Sequence, residues 1–411
     1  MSWLIAGTGA VASVGGSTDE VFAALCAGHS GLAPLRGFDR RKYRARSAYE
    51  IDDRPAPGTD VPLRATGWLV RAVAEALADA GLGADLSDVP VIVGSGLREL
   101  RSAELGWRDG APFDPAALHF GTALRERFGA AWTYTLANAC AASLYALAMA
   151  GDLLDAGVAD AVVVAGTDTL TESMFGALDR VQLEPPDRIR PFDVARRGTL
   201  LGDGAVAVVL RRDDHDSPAA ARVRAVSMNC DAAHATAPDP RGIAAAIRMA
   251  HERAGVTAGD LDLILLHGTG TALNDEAEAV ALGEVFGAAV DGPLLTAVKS
   301  MTGHTSGGSG LLSVVVAARA LATGRIPPTI GLREPVAEAA RFRFVRDAGH
   351  AADVRLAQVD AFGFGGVNAV AVVERVGGPA GTQRVGGPAG TERVGGPAGT
   401  ERVGGPTGVG R

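Results

Sequence analysis

Cys140 stands in the run Ala137-Asn138-Ala139-Cys140-Ala141-Ala142-Ser143, immediately ahead of an apolar stretch that reads as a buried helix over 143–156. A thiol at a helix start lies among free backbone N–H groups at the positive end of the helix dipole. Both favour a thiolate, and the same N–H groups can hold the oxygen of a thioester carbonyl under attack. The small neighbours Ala139, Ala141 and Ala142 leave room for a substrate chain. Far downstream, His267-Gly268-Thr269-Gly270-Thr271 and Lys299-Ser300-Met301-Thr302-Gly303-His304 place one imidazole in each of two glycine-rich turns. His267 closes the apolar run 261–266, a strand end of the kind that carries binding and catalytic residues. Thr269 and Thr271 are two apart, so in extended chain they face the same way and could hydrogen-bond an amide-bearing arm. One sulfur and two imidazoles suit nucleophilic acyl transfer. They could also suggest zinc, but the spacings are very wide and no CxxC or HxxxH pair exists, which argues for no metal. Cys26 and Cys230 read as small buried hydrophobes.

Elements that could position these groups follow from the apolar pattern. Short β-branched runs at 3–6, 89–93, 160–165, 205–210, 261–266, 294–298 and 369–373 are nearly continuous in apolar residues, so their sheets should be covered on both faces. Helical stretches lie between them at 18–27, 64–80, 143–156, 242–254, 276–285 and 311–322. The first opens with Ser17-Thr18-Asp19-Glu20, a capping-box pattern. The alternation predicts an α/β fold. The apolar helix after Cys140 is echoed by a second one after His304, which suggests two related halves with both turns at the middle of the molecule. Gly7-Thr8-Gly9-Ala10 follows a strand but lacks the immediate helix and later acid of a dinucleotide fingerprint. NAD binding is rejected, and the glycines are read as a tight turn. From Val376 the chain consists of four nine-residue units of the form Val-Gly-Gly-Pro-x-Gly-x-x-Arg, a composition expected to be disordered.

Bulk composition sets outer limits. The chain has 411 residues, 47% of them hydrophobic and only 5% aromatic, with 55 glycines, so the core must be built mainly from Ala, Val and Leu. A net charge of −8 with mixed signs excludes a nucleic-acid-binding surface. Arg40, Arg41 and Arg44 form a small basic cluster that could meet an acidic partner, though ordinary surface arginines are the plainer reading. Three widely spaced cysteines argue against a disulfide framework. The opening residues read as a strand rather than a signal peptide, and no run reaches a membrane span. A soluble, cytoplasmic protein is expected.

The Asn-Ala-Cys-Ala-Ala-Ser turn, His-Gly-Thr-Gly-Thr, Lys-Ser-Met-Thr-Gly-His and Gly363-Phe364-Gly365-Gly366-Val367-Asn368 occur in the order found in β-ketoacyl-acyl carrier protein synthases of the elongating, Cys-His-His type. The resemblance covers about residues 1–374, including Arg190-Pro191-Phe192-Asp193 and Leu201-Gly202-Asp203-Gly204. It implies a thiolase-like, five-layered α-β-α-β-α fold of two pseudo-duplicated halves: 1–212 with Cys140, and 213–375 with both histidines. The repeat tail, 376–411, follows. It implies that Cys140 accepts an acyl chain, and that His267 and His304 polarise a malonyl thioester carbonyl and stabilise the enolate left by decarboxylation. The Cys140 and Phe364 N–H groups would form the oxyanion hole, with Phe364 as a gate. Lys299 and Glu278 would pair behind the histidines, and Thr269 and Thr271 would contact phosphopantetheine. No cofactor is implied beyond the phosphopantetheine of acyl carrier protein. The partners implied are that carrier protein and a second subunit, in a homodimer or in a heterodimer with a chain-length-factor-like chain. The sequence looks nearest to type II polyketide and polyene ketosynthases, because Asn138 and Ala141 stand where many members carry Thr and Ser. The segment between Ser95 and Cys140 also looks short. A fatty-acid chain-elongating ketosynthase and a non-catalytic partner subunit are the alternatives. Intact Cys140 argues against the latter, and the absence of a cysteine after Cys230 argues against a degradative thiolase.

Overall fold

The computed structural model describes residues 2–56, 59–213 and 219–377. The repeat tail beyond 377 lies outside the described residues. Ten strands carry the architecture: β1 (Trp3–Ala12), β2 (Val91–Gly94), β3 (Thr133–Leu136), β4 (Ala161–Asp168) and β5 (Gly204–Arg212), then β6 (Ala221–Cys230), β7 (Leu263–Leu265), β8 (Leu294–Thr296), β9 (Leu356–Gly363) and β10 (Val367–Arg375). The first five lie in the order β3-β2-β4-β5-β1, and the second five in the order β8-β7-β9-β10-β6. Replacing each strand of the first set by the one five places on gives the second. The pairing senses also repeat, parallel for β3-β2-β4 and β8-β7-β9 and antiparallel for the rest. The two sets join where Trp3–Ile5 runs antiparallel to Ala221–Val223, giving one continuous sheet.

Helices cover both faces. Helix α1 (Arg64–Asp79) packs on the outer face of β1, β4 and β5, while α3 (Pro240–Ala254) and α4 (Ala272–Phe286) lie outside the second set. Between the sets run α2 (Ala142–Asp155) and α5 (Ser309–Thr323), which touch each other and strands of both halves. This is the α-β-α-β-α layering expected. It also explains why those two helices are apolar all round, since a helix with sheet on both sides has no wet face. Leu311, Val314, Ala317, Ala320 and Leu321 of α5 expose no surface, and burying each leucine or valine contributes about 1.5–3 kcal/mol. The stretch Ser306–Thr323 is long and apolar enough to cross a membrane, but 78% of it is buried inside the protein.

Two expectations are corrected. Gly7 and Gly9 are not in a turn. They lie within β1, where a β-carbon on Gly9 would come 2.0 Å from the Ala72 carbonyl oxygen and one on Gly7 2.2 Å from that of Ala76. The glycines exist so that α1 can lie directly on the strand. Strands β3, β6 and β9 also escape the apolar-run criterion. β6 alternates Arg222 and Arg224 with buried Val223 and Ala225, β9 buries Gln358 and Asp360, and β3 is a half-exposed edge. At Ser17 the capping box is half formed: the Ser17 hydroxyl accepts from Glu20 N, while the Glu20 carboxylate takes Gly16 N rather than Ser17 N.

Candidate active site

All the expected chemistry converges at the carboxyl ends of parallel strands, where open α/β sheets place their ligands. Cys140 follows β3 in a short 3-10 turn, Ala139–Ala141, that runs into α2. Ala139 takes φ 56°, a left-handed conformation that costs a non-glycine residue energy and bends the chain sharply enough to present the next side chain. His267 follows β7. His304 follows β8 by way of the one-turn helix Lys299–Thr302 and Gly303 at φ 72°.

The three side chains meet. His304 Nε2 lies 3.0 Å from Cys140 Sγ, and the two imidazoles pack edge to face with centroids 5.5 Å apart. Both rings are almost completely buried, and Phe362 of β9 packs edge-on to His267 at 5.7 Å. The backbone N–H groups of Cys140 and Phe364 both point at the Cys140 sulfur. Gly363 makes this approach possible, because a β-carbon there would sit 3.1 Å from Cys140 N. Phe364 itself is 49% exposed in the turn between β9 and β10.

Burial sets the protonation states. It pushes the Cys140 thiol up to about 11, against the opposing pull of Lys299 and the two N–H donors. The expected helix-start thiolate is therefore corrected: the desolvation of an enclosed sulfur outweighs the short turn's dipole, and the resting group is a thiol. Burial likewise holds both histidines well below the usual imidazole range, with the Lys299 charge adding to the effect. At neutral pH the rings are uncharged, suited to donate a hydrogen bond to a developing oxyanion. His304 Nδ1 is buried without a partner among the described residues.

Lys299 and Glu278 are not in direct contact as a pair; they grip His267 from two sides. Lys299 Nζ donates to the His267 carbonyl oxygen at 2.5 Å and lies 3.4 Å from His267 Nδ1. Glu278, from α4, accepts the backbone N–H groups of His267 at 2.7 Å and Gly268 at 2.9 Å, and Asn274 Nδ2 at 3.2 Å. Thr269 and Thr271 do face the same side, but their hydroxyls lie 2.9 Å apart and the Thr271 oxygen caps α4 by accepting Asn274 N. Only part of their bonding capacity remains for a substrate arm.

Sequence reasoning missed Asp168 at the end of β4. Its oxygens accept Ser95 Oγ, Gly96 N, Leu97 N and Gly307 N at 2.7–2.8 Å, tying the loop after β2 to the turn that opens α5. Ser143 does the same between the paired helices, its hydroxyl accepting Leu311 N at 3.0 Å. A single sequence carries no signal for either. In the basic cluster Arg41 pairs with Asp39, Arg44 with Asp179 and two carbonyls, and the neighbouring Lys42 with Glu172, while Arg40 has no ion pair among the described residues. The ligand atoms of Cys140, His267 and His304 lie within 4.8 Å of one another, close enough to converge on a metal ion. The Lys299 ammonium beside His267 sets a positive charge against a cation there.

Two domain families match in sequence: the N-terminal domain of β-ketoacyl synthases over residues 4–216 and the C-terminal domain over 220–333. The chain belongs to the β-ketoacyl synthase family. Among its relatives is 3-oxoacyl-(acyl-carrier-protein) synthase 2 of Coxiella burnetii, 29% identical with 91% of this chain and 98% of that protein aligned. Nodulation protein E of Rhizobium meliloti is 28% identical over 91% of this chain and 99% of its own. Among solved structures, the ishigamide ketosynthase/chain length factor superposes with TM-score 0.83 at 32% identity, covering 92% of this chain and 99% of that one.

Proposed function

We propose that the chain is an acyltransferase that condenses an acyl thioester with malonyl-acyl carrier protein, by decarboxylative Claisen chemistry, in type II polyketide biosynthesis. The observation that carries the reading is the convergence of the Cys140 sulfur, two uncharged imidazoles and two backbone N–H groups on one point. In the first half-reaction the Cys140 sulfur attacks the acyl thioester. The carbonyl oxygen is held by the Cys140 and Phe364 N–H groups, and the thiol proton leaves on the departing carrier thiol. In the second, the malonyl thioester oxygen lies against His267 and His304, which donate to it as carbon dioxide departs and the enolate forms. The enolate carbon then attacks the acyl-Cys140 carbonyl, the C–S bond breaks, and the 3-ketoacyl thioester is released. Lys299 and Glu278 hold the His267 backbone in register, Thr269 and Thr271 meet the phosphopantetheine arm, and Phe364 gates the nucleophile.

Residues 1–212 and 213–375 act as two halves of one catalytic unit that works in the cytoplasm without a bound cofactor or metal. A second subunit covers β3, homologous or identical. That strand is an unpaired sheet edge leading straight to Cys140, with Trp132 49% and Tyr134 43% exposed along it. Similarity to the ishigamide ketosynthase/chain length factor favours a polyketide role, and similarity to 3-oxoacyl-(acyl-carrier-protein) synthases keeps fatty-acid elongation as the second reading. The test is mass spectrometry after incubation with acyl-carrier protein. An acyl adduct on the peptide carrying Cys140 is expected, and an adduct found only elsewhere would defeat the assignment.

A further inference from the structure

Behind His304 lies an aromatic side chain that the steps above do not use. Tyr49 exposes no surface and belongs to a small apolar cluster, separate from the main core, that includes Ile189, Leu200 and Leu201. Its backbone supports the segment that holds the histidine. Tyr49 N donates to the Leu201 carbonyl oxygen at 3.1 Å, and Asp203 N donates to that of Tyr49 at 2.9 Å. On its other edge the same segment pairs with His304: His304 N donates to Leu200 O at 2.9 Å and Gly202 N to His304 O at 3.0 Å. Residues 200–203 therefore form an extended ribbon bridged to Tyr49 on one side and to His304 on the other. The Tyr49 ring lies against Gly303, the residue that turns the chain into His304. A β-carbon on Gly303 would come 2.5 Å from Tyr49 Cδ2 and 2.7 Å from Cγ. The hydroxyl reaches further. It donates to the Ser300 carbonyl oxygen at 3.3 Å, in the one-turn helix that carries Lys299, and accepts Ile189 N at 3.3 Å. Ile189 and Arg190 lie directly on Gly270, where a β-carbon would come 3.0 Å from Ile189 Cγ2 and 3.2 Å from Arg190 N. Gly270 is the residue between Thr269 and Thr271. Phe192 N and Gly270 N both donate to the Asp275 carboxylate, at 2.7 and 3.2 Å, which locks that segment to the threonine turn.

Condensation has a matching need for a fixed distance. The malonyl thioester oxygen must lie against both imidazoles while the arm that carries it is held at the threonine turn. His267 is part of that turn, after β7, but His304 follows β8 on a separate loop. A misplacement of about 1 Å between such parts can cost about 10²-fold in rate. Resting on the condensing role proposed above, we infer that Tyr49 is a positioning residue that fixes His304 and the Thr269–Thr271 turn relative to each other. The ring sets the turn that presents the imidazole, and the hydroxyl ties that turn to the segment lying on Gly270. Burial pushes the phenol up to about 12, so it stays a neutral donor and acceptor across the neutral range. In the proposed mechanism acylation draws less on this arrangement, because its oxygen is held by the Cys140 and Phe364 N–H groups.

The experiment compares the full-length protein with Tyr49→Phe, which keeps the ring and loses the hydroxyl bridge, and Tyr49→Leu, which loses both. Cys140 acylation is followed by mass spectrometry of the modified peptide. Single-turnover condensation of the pre-acylated protein is followed over a range of malonyl-acyl carrier protein concentrations, which separates maximal rate from half-saturation. In Tyr49→Phe the half-saturating concentration should rise about threefold or more, with a smaller change in maximal rate, because two hydrogen bonds behind the threonine turn are gone. In Tyr49→Leu the maximal rate of condensation should fall about tenfold or more while acylation falls far less, because the support of His304 is gone. A tyrosine that only fills the core would lower the thermal unfolding midpoint, reduce acylation and condensation by one common factor and leave half-saturation unchanged. That pattern, or wild-type kinetics in both variants, would overturn the inference. If Tyr49→Leu does not fold, Tyr49→Phe decides, and an unchanged half-saturation overturns it. A wild type that neither acylates nor condenses refutes the enzymatic reading instead.

Discussion

Replacing His304 with alanine separates the two half-reactions. At neutral pH the ring is uncharged, so what it offers the enolate oxygen is one neutral donor in a water-poor site. Removing one such donor costs about 2.7–4 kcal/mol, roughly 10² to 10³ in rate, and a neutral donor puts the expectation near the lower figure. In the proposed mechanism acylation uses a different oxygen, held by the Cys140 and Phe364 N–H groups, which His304→Ala leaves in place. It loses only the 3.0 Å contact at sulfur. Cys140 acylation, read by mass spectrometry of the modified peptide, should therefore persist within about tenfold. Single-turnover condensation of the pre-acylated variant should fall about a hundredfold or more. Thermal unfolding of both proteins checks that the variant remains folded. If acylation and condensation fall by the same factor, the division of labour is wrong, and His304 serves chiefly to take the thiol proton.

Three further outcomes follow from the geometry. A thiol at about 11 means that alkylation of Cys140 by iodoacetamide should rise about tenfold per pH unit from 6 to 10; a plateau near neutrality would reveal a resting thiolate–imidazolium pair. The depressed His267, His304 and His251 contribute stability that is present above the unfolded imidazole value of about 6.5 and lost as pH falls below it, because the unfolded chain binds those protons and the folded one resists. Buried Asp168, Asp275, Glu278 and Asp360 are raised and act in the opposite sense on a denaturation curve, so the check is made on the rings: His267 and His304 should not titrate between pH 7 and pH 5 in NMR of the folded protein, and a midpoint near the free imidazole value would contradict the burial argument. Tyr134→Lys on the exposed edge of β3 should weaken self-association or pairing with a chain-length-factor-like subunit in sedimentation; an unchanged assembly would remove β3 from the interface.

Much of this was legible in the chain itself. The α/β class followed from apolar runs alternating with helical stretches, and the matching pair of apolar helices after Cys140 and His304 anticipated a duplication that the strand order repeats element by element. Cys140, His267 and His304 could be picked out because each follows an element end in a turn of small residues, a local signal that survives in one dimension. The protonation of the thiol could not, because it depends on how many atoms from elsewhere enclose the sulfur, and that enclosure reversed the expectation drawn from the helix start. Nor could the grip of Glu278 and Lys299 on the His267 backbone, the four-donor clamp of Asp168, or the sealed acid Asp360 be read in advance. Periodicity records which face of an element is apolar. Which distant backbone N–H groups meet a buried carboxylate is decided only when two halves of the sheet close on the same pair of helices.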